Sequence, residues 1–355
     1  SAILPAVVNR SLSSVTPPHY RRVTGSPWRP ATTRRGIRYA FPDAGMVVVG
    51  IAEVGEIAKV GELAAESAYL RDFSYLDDSR RGGGSRRPYS ERMQAGDFPR
   101  AAIIAGRLDV VPHTGSTNAD LLAAVAGEPD AYPHLSVLVT DDQRAGRGRL
   151  DRTWTAPPGA ALAISVLLRV PSIPTEQRGW VSLIAGAAMT RALRGQFAPD
   201  AADGGSRVGL KWPNDVLIDG AKVCGILSQM LPGEPDAIVV GAGVNTRMTP
   251  GQLPVPTATS LAIVGADVDP DRLLADYLQG LRRMLAAAVS AEGGVGVRAE
   301  VRELCATLGS EVRVMLPDER TLEGRATGLD DAGRLIVAVG GESVPVAAGD
   351  VIHVR

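Results

Sequence analysis

Lysine is nearly absent from this chain. Lysine and arginine together number 38, yet lysine stands only at Lys59, Lys211 and Lys222. Asparagine is as scarce, at Asn9, Asn118, Asn214 and Asn245. A compositional pressure has replaced both, so the survivors mark positions that need those side chains. Two cysteines, Cys224 and Cys305, exclude a disulfide framework and suit a reducing compartment. Four histidines, His19, His113, His134 and His353, are scattered with no HxH, HExxH or CxxC spacing, so no zinc site is built in. No apolar run is long enough to span a bilayer. A net charge of −1 gives the whole chain no pull toward nucleic acid or membrane. No GxSxG elbow occurs, which leaves covalent hydrolysis without a visible nucleophile. What remains is 355 residues, 45% hydrophobic and 22% charged, enough for a sizeable core and for two or three domains, or one large domain with additions.

The first 40 residues hold arginine, Ser, Thr and Pro but no acidic residue. That composition is shared by transit peptides, but the absence of an apolar face favours a disordered extension or an overextended translation start. From Met46 to Leu70 a small VGIA, VGEIA, VGELA unit repeats, with apolar residues every third position. This spacing predicts one helix, weakened by Gly50, Gly55 and Gly61. Residues 79–88 read as a flexible basic linker. One helix is too few for a DNA-binding helix-turn-helix. Residues 1–92 are therefore expected to form a disordered or poorly ordered basic extension.

From about residue 100 the texture is α/β. A strand ends at Val110–Val111, and Ser116 or Thr117 caps a helix through Val125. A strand over 135–140 is followed by a Gly-Arg-rich loop at 141–153, a strand at 161–170 and a helix at 176–193. Strands at 208–212, 215–218, 222–231 and 236–244, separated by signals such as Asp219-Gly220 and Pro232-Gly233, read as antiparallel hairpins. Helices are expected at 270–289, opened by Asp269-Pro270, and at 296–305. Beyond Leu308-Gly309, five short strands suggest a small β-barrel of about 48 residues.

Several segments carry chemistry. Gly146-Arg147-Gly148-Arg149, with Arg144, Arg152 and Trp154, offers flexible backbone, guanidinium forks for phosphate or carboxylate, and a flat stacking face. Taken alone, it reads equally as a solvated basic loop, even an RNA-binding one. Lys211-Trp212-Pro213-Asn214-Asp215 is a good turn sequence. It also gathers scarce Lys and Asn, with Lys222 eleven residues on, and two point charges so close favour an anion site. Thr114-Gly115-Ser116-Thr117-Asn118 is an ordinary helix start that also makes a polar pocket wall. Gly241-Ala242-Gly243-Val244-Asn245 begins like a dinucleotide fingerprint, but Thr246 stands at the third glycine position and no helix follows. Gly204 and Gly209 have P-loop spacing, but Leu210 intrudes before Lys211.

Taken together, TGSTN (114–118), Gln143 with AGRGR (145–149) and Trp154, KWPND (211–215), Lys222 with CGIL (224–227), GAGVN (241–245) and the terminal AGDVIHVR (348–355) resemble the biotin protein ligases. The resemblance covers residues 108–355 and is similar to the monofunctional kind without a DNA-binding domain. It implies a mixed, largely antiparallel sheet flanked by helices, like that of class II aminoacyl-tRNA synthetases, over 93–305. An SH3-like β-barrel would follow over 306–355. The implied reaction joins biotin to ATP, giving biotinyl-5′-AMP, and passes biotin to a lysine of a biotin carboxyl carrier domain of acetyl-CoA carboxylase and related carboxylases. The resemblance assigns Ser116, Thr117, Asn118, Gln143, Arg147, Gly148, Arg149, Lys222 and Gly225 to biotin. It assigns Arg149, Arg152, Trp154, Lys211, Asn214, Asp215 and Asn245 to ATP. Lys222, Asp215 and Arg149 would carry the catalysis, with Asp215 deprotonating the incoming lysine. Mg²⁺ would arrive with ATP, and a cytoplasmic enzyme with no specific DNA binding and no membrane contact is implied. Lipoate or octanoate ligation on the same fold is the alternative enzyme. A nucleic-acid-binding protein or biotin-operon repressor is the non-enzymatic one.

Overall fold

A computed structural model describes the chain at residues 93–150, 152–197, 207–266, 268–317 and 320–354, and the backbone of 31–33, 36–40 and 46–49. The chain divides into two compact units, Ser1–Arg86 and Arg87–Arg355. In the first, β1 (Ala31–Thr33), β2 (Gly36–Ala40) and β3 (Met46–Val49) form an antiparallel sheet in that order. The helix expected over 46–70 is thus corrected at its start, where the β-branched run Val47–Val49 pairs with β2. The rest of that stretch, like most of the expected 1–92 extension, lies outside the described residues.

The second unit is built on a seven-stranded sheet. Its strands are β4 (Arg107–Val110), β5 (Ser136–Thr140), β8 (Ala161–Arg169), β9 (Val208–Lys211), β10 (Asp215–Ile218), β11 (Ala221–Leu231) and β12 (Glu234–Asn245). The order is β4-β5-β8-β12-β11-β10-β9, with β4 and β5 parallel and every other pair antiparallel. The hairpin turn at Asp219-Gly220 has φ of 51° and 78°, the left-handed pair that a two-residue turn with the twist of its strands requires.

Helices cover both faces. On one lies α2 (Thr117–Gly127), whose Leu121 and Val125 pack with Leu138, Leu167 and Val239. On the other, α1 (Pro99–Ile104), α3 (Gly179–Arg194), α4 (Pro270–Ala288) and α5 (Ala291–Leu304) close the main core with Ile164, Val166, Val240 and Val244. Side chains alternate across a strand, so odd-numbered residues of β8 and β12 face α2 and even-numbered ones face the main core. Asp269 caps α4 by accepting from the Arg272 amide at 3.0 Å, with Pro270 in the first turn. α5 starts five residues earlier than its spacing suggests: the Ser290 hydroxyl accepts from the Gly293 amide at 3.1 Å, and this cap carries the helix through Gly293, Gly294 and Gly296.

The last strands, β13 (Glu311–Met315), β14 (Thr321–Leu329), β15 (Leu335–Val339), β16 (Glu342–Val346) and β17 (Asp350–His353), form an antiparallel sheet in the order β16-β15-β14-β13-β17. Its β14–β15 turn is held by two indoles: Trp180 Nε1 donates to Asp331 O at 2.9 Å and Trp212 Nε1 to Gly333 O at 3.0 Å. Arg298 pairs with Asp331 at 2.7 Å, and both Arg298 and Arg302 lie over the Trp180 ring. Cys305 is buried directly after α5, where the Ala306 amide donates to Leu210 O at 2.8 Å. No helix among the described residues is long and apolar enough to cross a membrane.

Candidate active site

The α2 face of the sheet is bare where glycines replace side chains. Gly241 and Gly243 occupy that face of β12, and Gly225 pairs with Gly243 across β11. A Cβ at Gly243 would stand 2.4 Å from Trp154 Cε2, one at Gly241 2.3 Å from Asn118 Oδ1, and one at Gly225 3.1 Å from both Trp154 and Lys222 Nζ. The missing Cβ atoms give Asn118 and Trp154 their seats over the sheet, beside a cleft of about 850 Å³ that is partly open solvent.

One wall is the start of α2, where Ser116 caps the helix and Thr117 and Asn118 are buried. Gln143 Oε1 accepts from the Thr117 amide at 2.9 Å and the Thr117 hydroxyl at 3.1 Å. Asn118 Nδ2 donates to Leu227 O at 3.1 Å and to Gln229 Oε1 at 2.8 Å. The mouth is a small hairpin of β6 (Gly146–Arg147) and β7 (Thr153–Trp154). It carries Arg147, Gly148, Arg149, Arg152 and Trp154 into the cleft, whereas Arg144 pairs outside with Asp142 at 2.9 Å.

Cations collect at the far end. Arg149 Nη1 donates to Asn214 Oδ1 at 3.1 Å, and Asn214 Nδ2 donates to Ile226 O at 2.6 Å. Burial lowers the pKa of the Arg149 guanidinium, against the pull of Asp215 and Asp350. Lys222 Nζ stands 2.7 Å from Asp215 Oδ1 and 5.7 Å from the centre of the Trp154 ring. The Asp215 contact is an ion pair outside hydrogen-bond angles, so buried Oδ1 keeps no hydrogen-bond partner. Arg152 Nη2 reaches Asp350 Oδ2 on β17 at 2.6 Å. Burial opposes ionisation of Asp350, but the Arg152 hydrogen bond and the charges of Arg152, Lys211 and Arg149 hold its pKa below the usual carboxylate range. Cys224, on the main-core side of β11, is fully buried, and burial drives its thiol pKa far up.

Two residues picked from sequence do not line the cleft. Lys211 lies on edge strand β9, near enough to Asp350 and His353 to act on their charge. Asn245 is 3% exposed and its Nδ2 donates to Thr259 O at 2.9 Å, so the amide is committed to the fold. The other selected residues, Ser116 to Asn118, Gln143, Arg147 to Arg149, Arg152, Trp154, Asn214, Asp215, Lys222 and Gly225, all line it. Sequence reasoning quoted Gly241 and Gly243 in GAGVN and Asp350 in AGDVIHVR without assigning them to the site, and it did not single out the buried Ser165. Alternation along β12 was the available signal for the glycines, and the terminal AGDVIHVR segment the one for Asp350; nothing local marks Ser165. The chemistry on offer is a polar wall for a small neutral ring and a cluster of cations for phosphate and carboxylate, joined by Lys222. Among the described residues no group of three or more His, Cys, Asp or Glu side chains can hold a metal ion.

Residues 123–245 match the Biotin/lipoate A/B protein ligase family, and residues 307–354 match the Biotin protein ligase C terminal domain. The chain is similar to the biotin--[acetyl-CoA-carboxylase] ligase of Mycobacterium tuberculosis, 40% identical over 271 residues that span 76% of this chain and 97% of that protein. It is 30% identical over 260 residues to the bifunctional ligase/repressor BirA of Escherichia coli, covering 71% of this chain and 77% of that one. In structure it resembles the biotin protein ligase from Aquifex aeolicus in complex with biotin and ATP, with a TM-score of 0.57 and 25% identity over 70% of this chain and 99% of that one. With the glycine-floored cleft, the cation cluster and both halves of the family pattern present, the chain belongs to the biotin protein ligase family.

Proposed function

We propose that the cleft joins biotin to ATP and transfers the biotinyl group to a lysine of a biotin carboxyl carrier domain, as in acetyl-CoA carboxylase. The observation that carries this reading is Lys222, which lines one cleft together with the polar wall at α2 and with Arg149 and Arg152. In the first step a biotin carboxylate oxygen attacks the α-phosphorus, and the bond to pyrophosphate breaks. In the second the carrier amine attacks the acyl carbon, and AMP leaves. Ser116, Thr117, Asn118 and Gln143 serve the ureido ring, which has two N–H donors and one carbonyl acceptor. Lys222 bridges the carboxylate and the α-phosphate, and Arg149 and Arg152 take the charge that develops on phosphorus. Asp215 holds the Lys222 ammonium and accepts the proton of the incoming amine. Trp154 gives the nucleotide a stacking face. Lys211 acts at longer range and Asn245 supports the site from within the fold. Mg²⁺ would come with ATP and offset its phosphate charge; the carboxylates that line the cleft, Asp215 and Asp350, are ion-paired with Lys222 and Arg152, which fits a metal brought in by substrate. The catalytic body is assigned to 93–305 and an appended barrel to 306–355, in a cytoplasmic enzyme.

The test is incubation with ATP, Mg²⁺ and radiolabelled biotin, with and without a carrier domain. Label is expected on the carrier lysine, and pyrophosphate release is expected without the carrier. No adenylate and no labelled carrier would sink the reading. Preference for lipoate would move the protein to the lipoate branch.

A further inference from the structure

A network of hydrogen bonds runs behind the polar wall, and its polarity can be worked out from its two ends. The Thr117 backbone N–H only donates, so the Gln143 atom facing it at 2.9 Å is Oε1. Oε1 only accepts, so the Thr117 hydroxyl gives it its single proton at 3.1 Å. At the other end Leu227 O only accepts, so the Asn118 atom facing it is Nδ2. Asn118 Oδ1 therefore turns the opposite way, and it meets Ser165. This serine sits on β8, fully buried, with its Oγ 2.6 Å from Asn118 Oδ1 and 2.8 Å from Thr117 Oγ1. Both neighbours can only accept from it, and Ser165 has one proton.

We infer that Ser165 is a positioning residue that ties Thr117 to Asn118 and so holds in place the polar atoms the wall turns toward the ureido ring. Its proton is shared between Thr117 Oγ1 and the nearer Asn118 Oδ1. Thr117 Oγ1 keeps a lone pair for a ligand N–H, and Gln143, with Oε1 spoken for, keeps the N–H groups of Nε2 for a ligand carbonyl. A cyclic urea carries both complements on one ring, whereas a dithiolane carries neither. Gly241, the cross-strand neighbour of Ser165, leaves the space that the Asn118 amide fills. Gln229 Oε1 holds the far end of the network at 2.8 Å from Asn118 Nδ2.

The inference rests on the ligase reading, so wild-type turnover of biotin is measured first; its absence would fail that reading and not this one. Ser165→Ala is then assayed by pyrophosphate release for the KM of biotin, the KM of ATP, kcat and the preference for biotin over lipoate. Leaving a buried acceptor unfilled predicts a rise in biotin KM on the order of tenfold and a comparable loss of biotin preference. ATP KM is expected to hold. Ser165→Cys, isosteric with a weak S–H donor, is expected to fall between. Gln229→Leu acts from outside the cleft and predicts a smaller rise in biotin KM alone. It decides the matter if Ser165→Ala does not fold. Unchanged biotin KM in the folded variant would overturn the inference. So would equal rises in both KM values with a lowered melting temperature, which is what a purely structural serine gives.

Discussion

A guanidinium is poorly suited to the place of Lys222. Its Nζ lies 2.7 Å from Asp215 Oδ1, and the space around it exists because Gly225 lacks a Cβ that would stand 3.1 Å away. The longer, planar fork of arginine would press into the Trp154 ring, whose edge lines the same gap. Lys222→Arg and Lys222→Ala are both expected to fold and to lose adenylate formation by roughly 10²–10³, the usual effect of removing one preorganised donor. Pyrophosphate release at saturating ATP checks this, and near-wild-type turnover of the arginine variant would refute it. Scarcity in the composition pointed to Lys222 and to Asn214, and both line the cleft. It pointed to Asn245 for another reason: that amide is needed by the fold. Asn245→Ala is expected to cost about 1–3 kcal/mol of stability, because Thr259 O is left buried without its donor. Urea unfolding should show that loss while the KM of ATP changes little; a selective rise in ATP KM would return Asn245 to the site.

Among the elements, β12 does most to make the cleft. It places Val240, Ala242 and Val244 in the main core while Gly241 and Gly243 leave room on the opposite side for Asn118 and Trp154. Gly243→Ala would set a methyl 2.4 Å from Trp154 Cε2, so the indole must leave its seat. The strand itself tolerates alanine, and the expected outcome is a native melting temperature, a shifted tryptophan emission and weak retention of the adenylate. Unchanged emission and retention would show that Trp154 does not depend on the glycine floor. Hairpins and caps were legible in the sequence because their signals are local: Asp219-Gly220 for β10–β11, Asp269-Pro270 for α4, Ser116 for α2. Two readings failed for different physical reasons. Glycines hid the true start of α5, which a serine cap secures, and a three-residue apolar spacing over 46–70 suggested a helix where the valines after Met46 pair as a strand. The near-continuous apolar run of β8 concealed which of its side chains meet the cleft, so Ser165 went unmarked. Arg152 and Asp350 lie 198 residues apart, and no local spacing can announce such a pair.

At the scale of the whole molecule, the C-terminal sheet reaches back into the cleft through Asp350 while its β14–β15 turn is clamped by Trp180 and Trp212. Asp350→Ala should therefore leave the fold intact but free Arg152, weakening adenylate retention; equal retention would make the pair incidental. Acid should loosen the molecule in a defined order. Burial holds the pKa of His134 and His353 below the ordinary imidazole range, with the charge of Arg169 adding to the first and that of Lys211 to the second. The unfolded chain then binds protons before the folded one, so the stability they lend is full above about pH 6.5 and drains away as pH falls below it. The depressed Asp350 adds a second loss lower down, in the carboxylate range. Melting temperature should fall as pH drops from about 6.5 to 5. His134→Asn, which keeps an acceptor for the Arg169 amide at 3.0 Å, should flatten that slope; an unaltered slope would exclude His134 as its source. The two cysteines, finally, turn the fold into its own clock. Alkylation needs a reachable thiolate, and burial denies that to Cys224 and Cys305 alike. Cys305 sits where α5 hands over to the C-terminal sheet and Cys224 sits behind Lys222 in the main core. Whichever thiol is tagged first by iodoacetamide therefore names the seam that opens first.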